Sequence, residues 1–409
     1  MLSVSDACER ILAIFTPVET VTLSIGRLAG RVLAGDITAK TDFPLFDNSS
    51  VDGFALQISD IAGAGHASPR SLQVTADIRA GTFSALPIQS GQCARIMTGA
   101  PLPPGVDAVI MVEDTDFNDR KAGSLAPQTV AVYKPLKPGE NVRHHGDDLH
   151  AGDTVLSSGT RLRPQEIGLL AMLGLPEVPV YRAPRVALLS CGDELLPVEA
   201  PLTPGKIHDA NSYILSALSE SVGVELIRLG VASDTEADVR ARLERAVDEK
   251  ADVIISSAGV SMGAFDYVKS VVEADGELDF WKVNMRPGKP LAFGKYHGIP
   301  FFGLPGNPVS AYIGFEVFVR PALEKLSGQT PHPHPTQKAL LVEPVESDGR
   351  ESYLRAVVTE EQGQLMARLT GHQGSGNIFS LVQANALLIV PSGVKSLPAR
   401  SEAQIWRIA

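Results

Sequence analysis

Four stretches of this chain gather residue types suited to binding anions and hard cations. They are Ser190-Cys-Gly-Asp-Glu194, Ser233-Asp-Thr235, Ser256-Ser-Ala-Gly-Val-Ser-Met-Gly-Ala-Phe-Asp266, and the pair Arg286-Pro-Gly-Lys-Pro290 and Gly303-Leu-Pro-Gly-Asn-Pro-Val-Ser310. Gly259, Ser261 and Gly263 let backbone N–H groups approach a phosphate closely, at the start of a helix whose dipole favours an anion. Arg286 and Lys289 add positive charge beside it. Pro305, Gly306 and Pro308 shape a rigid turn, and Pro308 suits a first helical position. Glu194, Asp234 and Asp266 supply oxygen ligands of the kind Mg²⁺ takes. Taken singly each feature has a plainer reading: Asp234 and Asp266 as helix caps, Glu194 as a solvated turn residue. Four such loops, each placed after a strand, argue for a site.

The elements that must position them alternate. Val186-Ala-Leu-Leu-Ser190 is a continuous apolar run, the mark of a strand buried on both faces. Helix is expected near Asn211 to Val222, strand at Glu225 to Leu229, helix at Glu236 to Glu249, strand at Asp252 to Ser256, and helix near Tyr267 to Ala274. Strands at Phe280 to Val283, Ala292 to Gly294 and Phe301 onward lead to a long helix from Pro308 to Leu326. Such alternation predicts a doubly wound parallel α/β domain over residues 183–328, with ligands at the carboxyl ends of its strands. There is no G-x-G-x-x-G after the first strand, no G-x-x-x-x-G-K-[ST] and no nucleophile elbow, which argues against a dinucleotide dehydrogenase, a P-loop NTPase and a serine hydrolase.

Outside that domain, residues 1–40 read as helical, with Ser5 as a cap for Ala7, Ile11, Leu12 and Phe15. Asp42 to Phe54 is a polar loop, and residues 70–140 are short apolar strands split by Gly and Pro, such as Ala108 to Val112. Leu162 to Leu173 returns to helical spacing. Thr-Pro-His-Pro-His-Pro at 330–335 reads as a stiff linker rather than a metal site, and the rest as a small β-barrel or sandwich with no clear helix. The expected divisions are 1–45 with 142–182, 46–141, 183–328 and 336–409.

Composition frames the partners. At 409 residues two to four domains are expected, and 44% apolar with 20% charged residues is the globular norm. A net charge of −11 disfavours nucleic acid and anionic membranes as partners. Cys8, Cys93 and Cys191 stand far apart without metal-site spacing. With neither a leader pattern at the first residues nor a long apolar run, the cytosol is the expected compartment.

In their order along the chain, these motifs resemble one family nearly end to end. Asp47-Asn-Ser-Ser-Val-Asp-Gly-Phe54, Arg95-Ile-Met-Thr-Gly-Ala-Pro101, Gly192-Asp-Glu194, Ser256 to Gly263 with Asp266, Pro287-Gly-Lys-Pro290, Leu304-Pro-Gly-Asn-Pro-Val-Ser310 and Gly371-His-Gln-Gly-Ser375 resemble the molybdopterin molybdotransferases, the MoeA proteins and gephyrin E domains. The resemblance implies a central MoaB/Mog-like α/β domain, a helical and extended N-terminal region, an inserted small β domain and a C-terminal β-barrel. It implies a transferase that inserts molybdate into adenylylated molybdopterin, assisted by Mg²⁺ or Zn²⁺, giving molybdenum cofactor and AMP. By the same resemblance Asp52, Thr98, Glu194, Asp234 and Asp266 are catalytic, the last three holding the cation. Arg143, Asp148, Gly259, Ser261, Gly263, Lys282, Arg286, Lys289, Pro305, Pro308, Ser310, Arg355 and Ser375 would bind substrate. The family implies a homodimer with a shared cleft, Asp52 and Thr98 reaching it in trans, and dealings with a molybdopterin adenylyltransferase and cofactor-accepting apoenzymes. Arg286 stands where relatives often have Lys, Ala258 where Gly is usual, Cys191 where Thr is usual, and Arg143-His-His-Gly-Asp-Asp148 replaces a run richer in Arg.

Overall fold

The computed structural model describes residues 1–119, 121, 123–258 and 267–408, with the backbone alone of Trp281. It divides into two compact units, Met1–Gly35 with Ser158–Ala409, and Asp36–Ser157.

In the first unit a six-stranded sheet has the order Glu225–Ala232, Arg185–Cys191, Val253–Ser257, Ile299–Leu304, Pro290–Tyr296, Gly276–Lys282. Five of the strands point one way; Pro290–Tyr296 runs against both neighbours, which corrects the all-parallel sheet expected from the alternation. The reason is local. His297 and Gly298, at φ 44° and 82°, form a two-residue turn into Ile299–Leu304, and so short a connection can only make a hairpin. The reversal has a useful result: the 283–289 loop lies on the same sheet edge as the carboxyl ends of the other strands.

Both faces are covered. Val186 and Leu188 pack with Phe15, Phe293, Phe302 and the Pro308–Leu326 helical stretch, while Ala187 and Leu189 pack with Glu236–Asp248 and Tyr267–Asp275. Each fully buried ring here stabilises the fold by roughly 1.5–3 kcal/mol. Helical residues run without a break from Pro308 to Leu326, with one widened π-type turn at Phe315–Val319. Pro321 has no N–H to give Val317, and the Cys8 thiol donates to that carbonyl at 3.5 Å instead.

The N-terminal region is less helical than the sequence suggests. Only Val4–Ile14 is α-helix, with a single 3-10 turn at Ile25–Arg27, and Ser3 rather than Ser5 caps the α-helix by accepting from the Asp6 N–H. After Pro17 the β-branched alternation Thr20–Ser24 forms a strand paired with Glu177–Tyr181. The Leu162 to Leu173 expectation is met by the helix Pro164–Met172.

The C-terminal segment is a closed five-stranded barrel: Glu351–Glu361, Gln364–Leu369, Thr336–Leu341, Glu402–Arg407 and Ala386–Val390, the last pairing back onto the first. It does contain a helix, Ile378–Gln383, too short to show periodicity. The 330–335 stretch is anchored by one of its histidines. The His334 ring stacks on Trp406 at 3.7 Å, with Nε2 3.2 Å from the buried Glu316 carboxylate, which Arg320 also holds.

The second unit is built on the five-stranded sheet Ala108–Met111, Gly53–Leu56, Gln92–Ile96, Arg70–Ile78, Thr129–Val132. A Cβ on Gly53 would overlap the Ile110 carbonyl oxygen, so the neighbouring strand demands glycine there. Among the described residues no helix is long and apolar enough to cross a membrane.

Candidate active site

At the carboxyl edge of the six-stranded sheet, two loops clasp one another through their carboxylates. Asp234 accepts from the Asp193 N–H (3.3 Å) and the Cys191 thiol (3.4 Å), while Asp193 accepts from the Asp234 N–H (3.1 Å). The cap of the helix Glu236–Asp248 is Thr235, which accepts from the Asp238 N–H, so Asp234 is not spent on capping. Gly192 sits at φ 146°, and a Cβ there would come within 2.6–2.9 Å of the Glu194 carboxylate. Only glycine lets Glu194 fold back over its own loop. Glu194 and Asp234 thus share one edge of the sheet, an all-oxygen pair of the kind Mg²⁺ takes alongside waters and substrate phosphates. Among the described residues no group of three or more His, Cys, Asp or Glu side chains is spaced to hold a metal. Asp266, the third predicted carboxylate, lies outside the described residues, as do Gly259, Ser261 and Gly263.

A second group centres on Arg355. This arginine is fully buried in the strand Glu351–Glu361, with no carboxylate partner among the described residues. Its Nε donates to the Ser380 hydroxyl (3.1 Å), one Nη donates to the Gly374 carbonyl (3.0 Å), and the other Nη has no partner among the described residues. Burial, with Arg286 nearby, lowers its pKa to about 10. Burying an unpaired cation costs several kcal/mol, so the arrangement calls for an anion. The loop that holds Arg355 also meets the helix begun by Pro308, since the Val309 N–H donates to the Ser375 carbonyl at 3.1 Å. Pro308 occupies the first helical position, and Ser310 is buried one turn inside. Met285–Arg286 pairs in parallel with Glu351 and Ser352, which brings Arg286 to the start of the Arg355 strand. Arg350 supports that bridge by donating to the Met285 carbonyl. Lys282 pairs in register with Pro290, and Lys289 is exposed in the same loop. Arg355, Ser375, Pro308, Ser310 and Arg286 therefore form one connected group.

Asn211 joins two of the loops. Its side-chain N–H₂ donates to the Ser257 hydroxyl and to the Gly306 carbonyl, both at 2.7 Å, and the residue is buried. Ala258 follows at φ 72°, where a left-handed conformation costs a non-glycine residue roughly 1–2 kcal/mol. Ala258→Gly should raise the thermal midpoint by about 1–3 °C, because that relief exceeds the roughly 0.5–1 kcal/mol entropic cost of glycine. A lower midpoint in calorimetry would show that the Ala258 backbone is not strained.

In the second unit the register Gly53↔Ile96 sets Asp52 and Thr98 at one end of adjacent strands. Asp52 Oδ1 accepts both the Thr98 N–H (2.8 Å) and its hydroxyl (2.9 Å), which fixes the carboxylate's orientation. Arg143 pairs with Asp148, so these two predicted substrate contacts hold one another. The His145 N–H and the His144 ring hold Asp47 below the usual carboxylate range.

Three family models cover most of the chain: "MoeA N-terminal region (domain I and II)" over residues 2–174, "Probable molybdopterin binding domain" over 187–325, and "MoeA C-terminal region (domain IV)" over 338–407. The molybdopterin molybdenumtransferase 2 of Mycobacterium tuberculosis is 37% identical across 99% of both chains. The chain belongs to the molybdopterin molybdenumtransferase family. The Haemophilus influenzae molybdopterin molybdenumtransferase is 36% identical over 95% of this chain and 94% of its own. Among solved structures, a molybdopterin biosynthesis MoeA protein from Pyrococcus horikoshii OT3 covers all of both chains at 29% identity and a TM-score of 0.81.

Against this family background, the residues that sequence reasoning missed are Asp193, Asn211, Arg350, Gln373 and Ser380. All of them support other site residues; Gln373 lies inside the quoted motif Gly371-His-Gln-Gly-Ser375, where its side chain brackets the Arg355 backbone. Asp193 sits inside a quoted motif, and its carboxylate could have been noticed; Asn211 and Ser380 carry no signal beyond their type.

Proposed function

We propose that the chain joins molybdate to adenylylated molybdopterin, hydrolysing the adenylate to release molybdenum cofactor and AMP. Insertion of molybdenum into molybdopterin is the activity of its family and its own; the adenylylated form of the substrate is the further step. The observation that carries the reading is Arg355, a buried guanidinium without an acidic partner, linked through Gly374 and Ser375 to the Pro308 helix and lying near Arg286. A dianionic oxyanion is the ligand that such a group stabilises most. Ser310, Ser375, Lys289 and Lys282 would add donors around it, and Pro305 would keep the adjoining turn rigid.

The phosphate end of the substrate would lie along the sheet edge, with Gly259, Ser261 and Gly263 offering it backbone N–H donors. Glu194, Asp234 and Asp266 would hold Mg²⁺, which supplies charge neutralisation at the phosphate oxygens when bound. The hard carboxylate donors favour Mg²⁺ over Zn²⁺. Asp52, oriented by Thr98, would accept a hydrogen bond from the attacking water. Arg143 and Asp148 would contact substrate from the same unit as Asp52. The reading includes a homodimer in which the partner subunit's Asp52 and the partner subunit's Thr98 complete each cleft, a four-part division of each chain, and a cytoplasmic setting. It also includes hand-over from the adenylyltransferase and onward to apoenzymes.

The test is direct. Purified protein given adenylylated molybdopterin, molybdate and Mg²⁺ should release AMP and yield cofactor that reconstitutes a molybdenum-free apoenzyme. Chelating the divalent cation should stop AMP release, and adding Mg²⁺ should restore it. Consumption of ATP without AMP release from the adenylylated substrate would overturn the reading.

A further inference from the structure

We propose that Ser380 is a positioning residue for oxyanion capture, acting through Arg355; the inference rests on the reading of Arg355 given above. Ser380 is buried, and its single O–H is given to the Asn377 carbonyl at 2.6 Å. Its lone pairs are thereby left to accept, and the Arg355 Nε–H takes one of them at 3.1 Å. Asn377 fixes this geometry from the other side, its Oδ1 accepting the Ser380 N–H at 3.3 Å while its own N–H donates to the Gly374 carbonyl.

The Gly374 carbonyl in turn accepts from an Arg355 Nη. The backbone of Arg355 is bracketed as well: Gln373 accepts its N–H at 2.9 Å and donates to its carbonyl at 3.0 Å. Residues 373–380 therefore form a cradle that clamps the backbone, the Nε edge and one Nη, and the remaining Nη is the one without a partner among the described residues. A guanidinium is a planar fork, so fixing Nε and one Nη fixes the direction of the other. Ser380 does not need Arg355 in order to satisfy its own hydroxyl, and the helix Ile378–Gln383 is capped by Asn377. The contact serves the arginine.

The experiment uses the full-length protein, with molybdate and adenylylated molybdopterin varied in turn. Ser380→Ala should raise KM for molybdate about tenfold, the loss expected for one hydrogen bond to a charged group. It should leave kcat within about twofold and KM for the pterin substrate unchanged. Ser380→Thr, which keeps the acceptor, should restore most of the molybdate affinity. Ser380→Cys keeps a similar volume with a weak acceptor and should move the same KM several-fold the same way, which keeps the question answerable if the alanine variant folds poorly. Adding Ser380→Ala to Arg355→Met should raise KM no further. An unchanged molybdate KM in Ser380→Ala, alongside a raised one in Arg355→Met, would overturn the inference and leave the oxyanion reading standing. An unchanged KM in Arg355→Met would overturn that reading itself. A fall in thermal midpoint with both KM values and kcat disturbed alike would make Ser380 purely structural and also sink the inference.

Discussion

Arg355→Met should raise KM for molybdate by roughly 100-fold while leaving the thermal midpoint within about 4 °C of the parent. The two halves of that result have separate causes. The guanidinium is the buried cation of the group built from Ser375, Ser310 and the Pro308 helix, and an oxyanion loses at least one charge-assisted hydrogen bond and the attraction of a full charge when it is removed. Stability behaves differently because the charge is costly to bury. Replacing a buried ion by an apolar side chain of similar length is neutral or stabilising by about 1–4 kcal/mol. Against this, the Ser380 hydroxyl and the Gly374 carbonyl each lose the arginine as a donor but keep a bond to Asn377, at about 0.5–1.5 kcal/mol apiece. The two contributions nearly cancel. Molybdate added in excess should raise the midpoint of the parent protein and leave that of the variant where it is, a binding readout that needs no turnover. Arg355→Lys, which keeps a point charge and loses the fork, should fall between the two, at about tenfold. Equal molybdate dependence of midpoint in parent and methionine variant would remove Arg355 from the oxyanion site.

Arg355 and the loops after the parallel strands differ in how far the amino-acid sequence discloses them. The loops after the parallel strands were legible because a strand buried on both faces is a run such as Val186-Ala-Leu-Leu, and punctuation by Gly, Ser and Asp marks its end. Asp234 was ambiguous between cap and ligand until Thr235 proved to be the cap. Arg355 was different. Within Tyr353-Leu-Arg-Ala-Val357 it has the sequence appearance of an outward polar residue in an alternating strand, and only the family resemblance singled it out. The fold buries it because the 371–376 loop and the helix Ile378–Gln383 cover that face. Six residues give too little periodicity for a helix, and the loop, legible only through the resemblance of Gly371-His-Gln-Gly-Ser375, holds the guanidinium by the Gly374 carbonyl, which has no side-chain signature. The reversed strand Pro290–Tyr296 escaped for a related reason. Its apolar run looks the same in either direction, and the deciding signal was the two-residue His297-Gly298 turn.

The same contrast between local and long-range information sets the second large effect. Asp52 and Thr98 lie in one compact unit, and Asp234 and Glu194 in the other. Asp52→Asn and Asp234→Asn should each reduce turnover by about 100-fold or more as pure homodimers, since in the proposed function each would remove a carboxylate needed at the water or the phosphate end. The informative measurement is on the mixed dimer, isolated by tandem affinity tags from cells expressing both variants. If the partner subunit's Asp52 completes each cleft, one cleft of the mixed dimer carries both lesions and the other carries none. Turnover should then recover to about half that of the parent dimer. If Asp52 instead serves the cleft of its own subunit, each cleft keeps one lesion and no recovery follows. Failure to recover, with the dimer intact by light scattering, would rule out the shared cleft. Each outcome also bears on Thr98. Its two hydrogen bonds to Asp52 Oδ1 tie its effect to that carboxylate, so Thr98→Val should complement Asp234→Asn in the mixed dimer and should not complement Asp52→Asn.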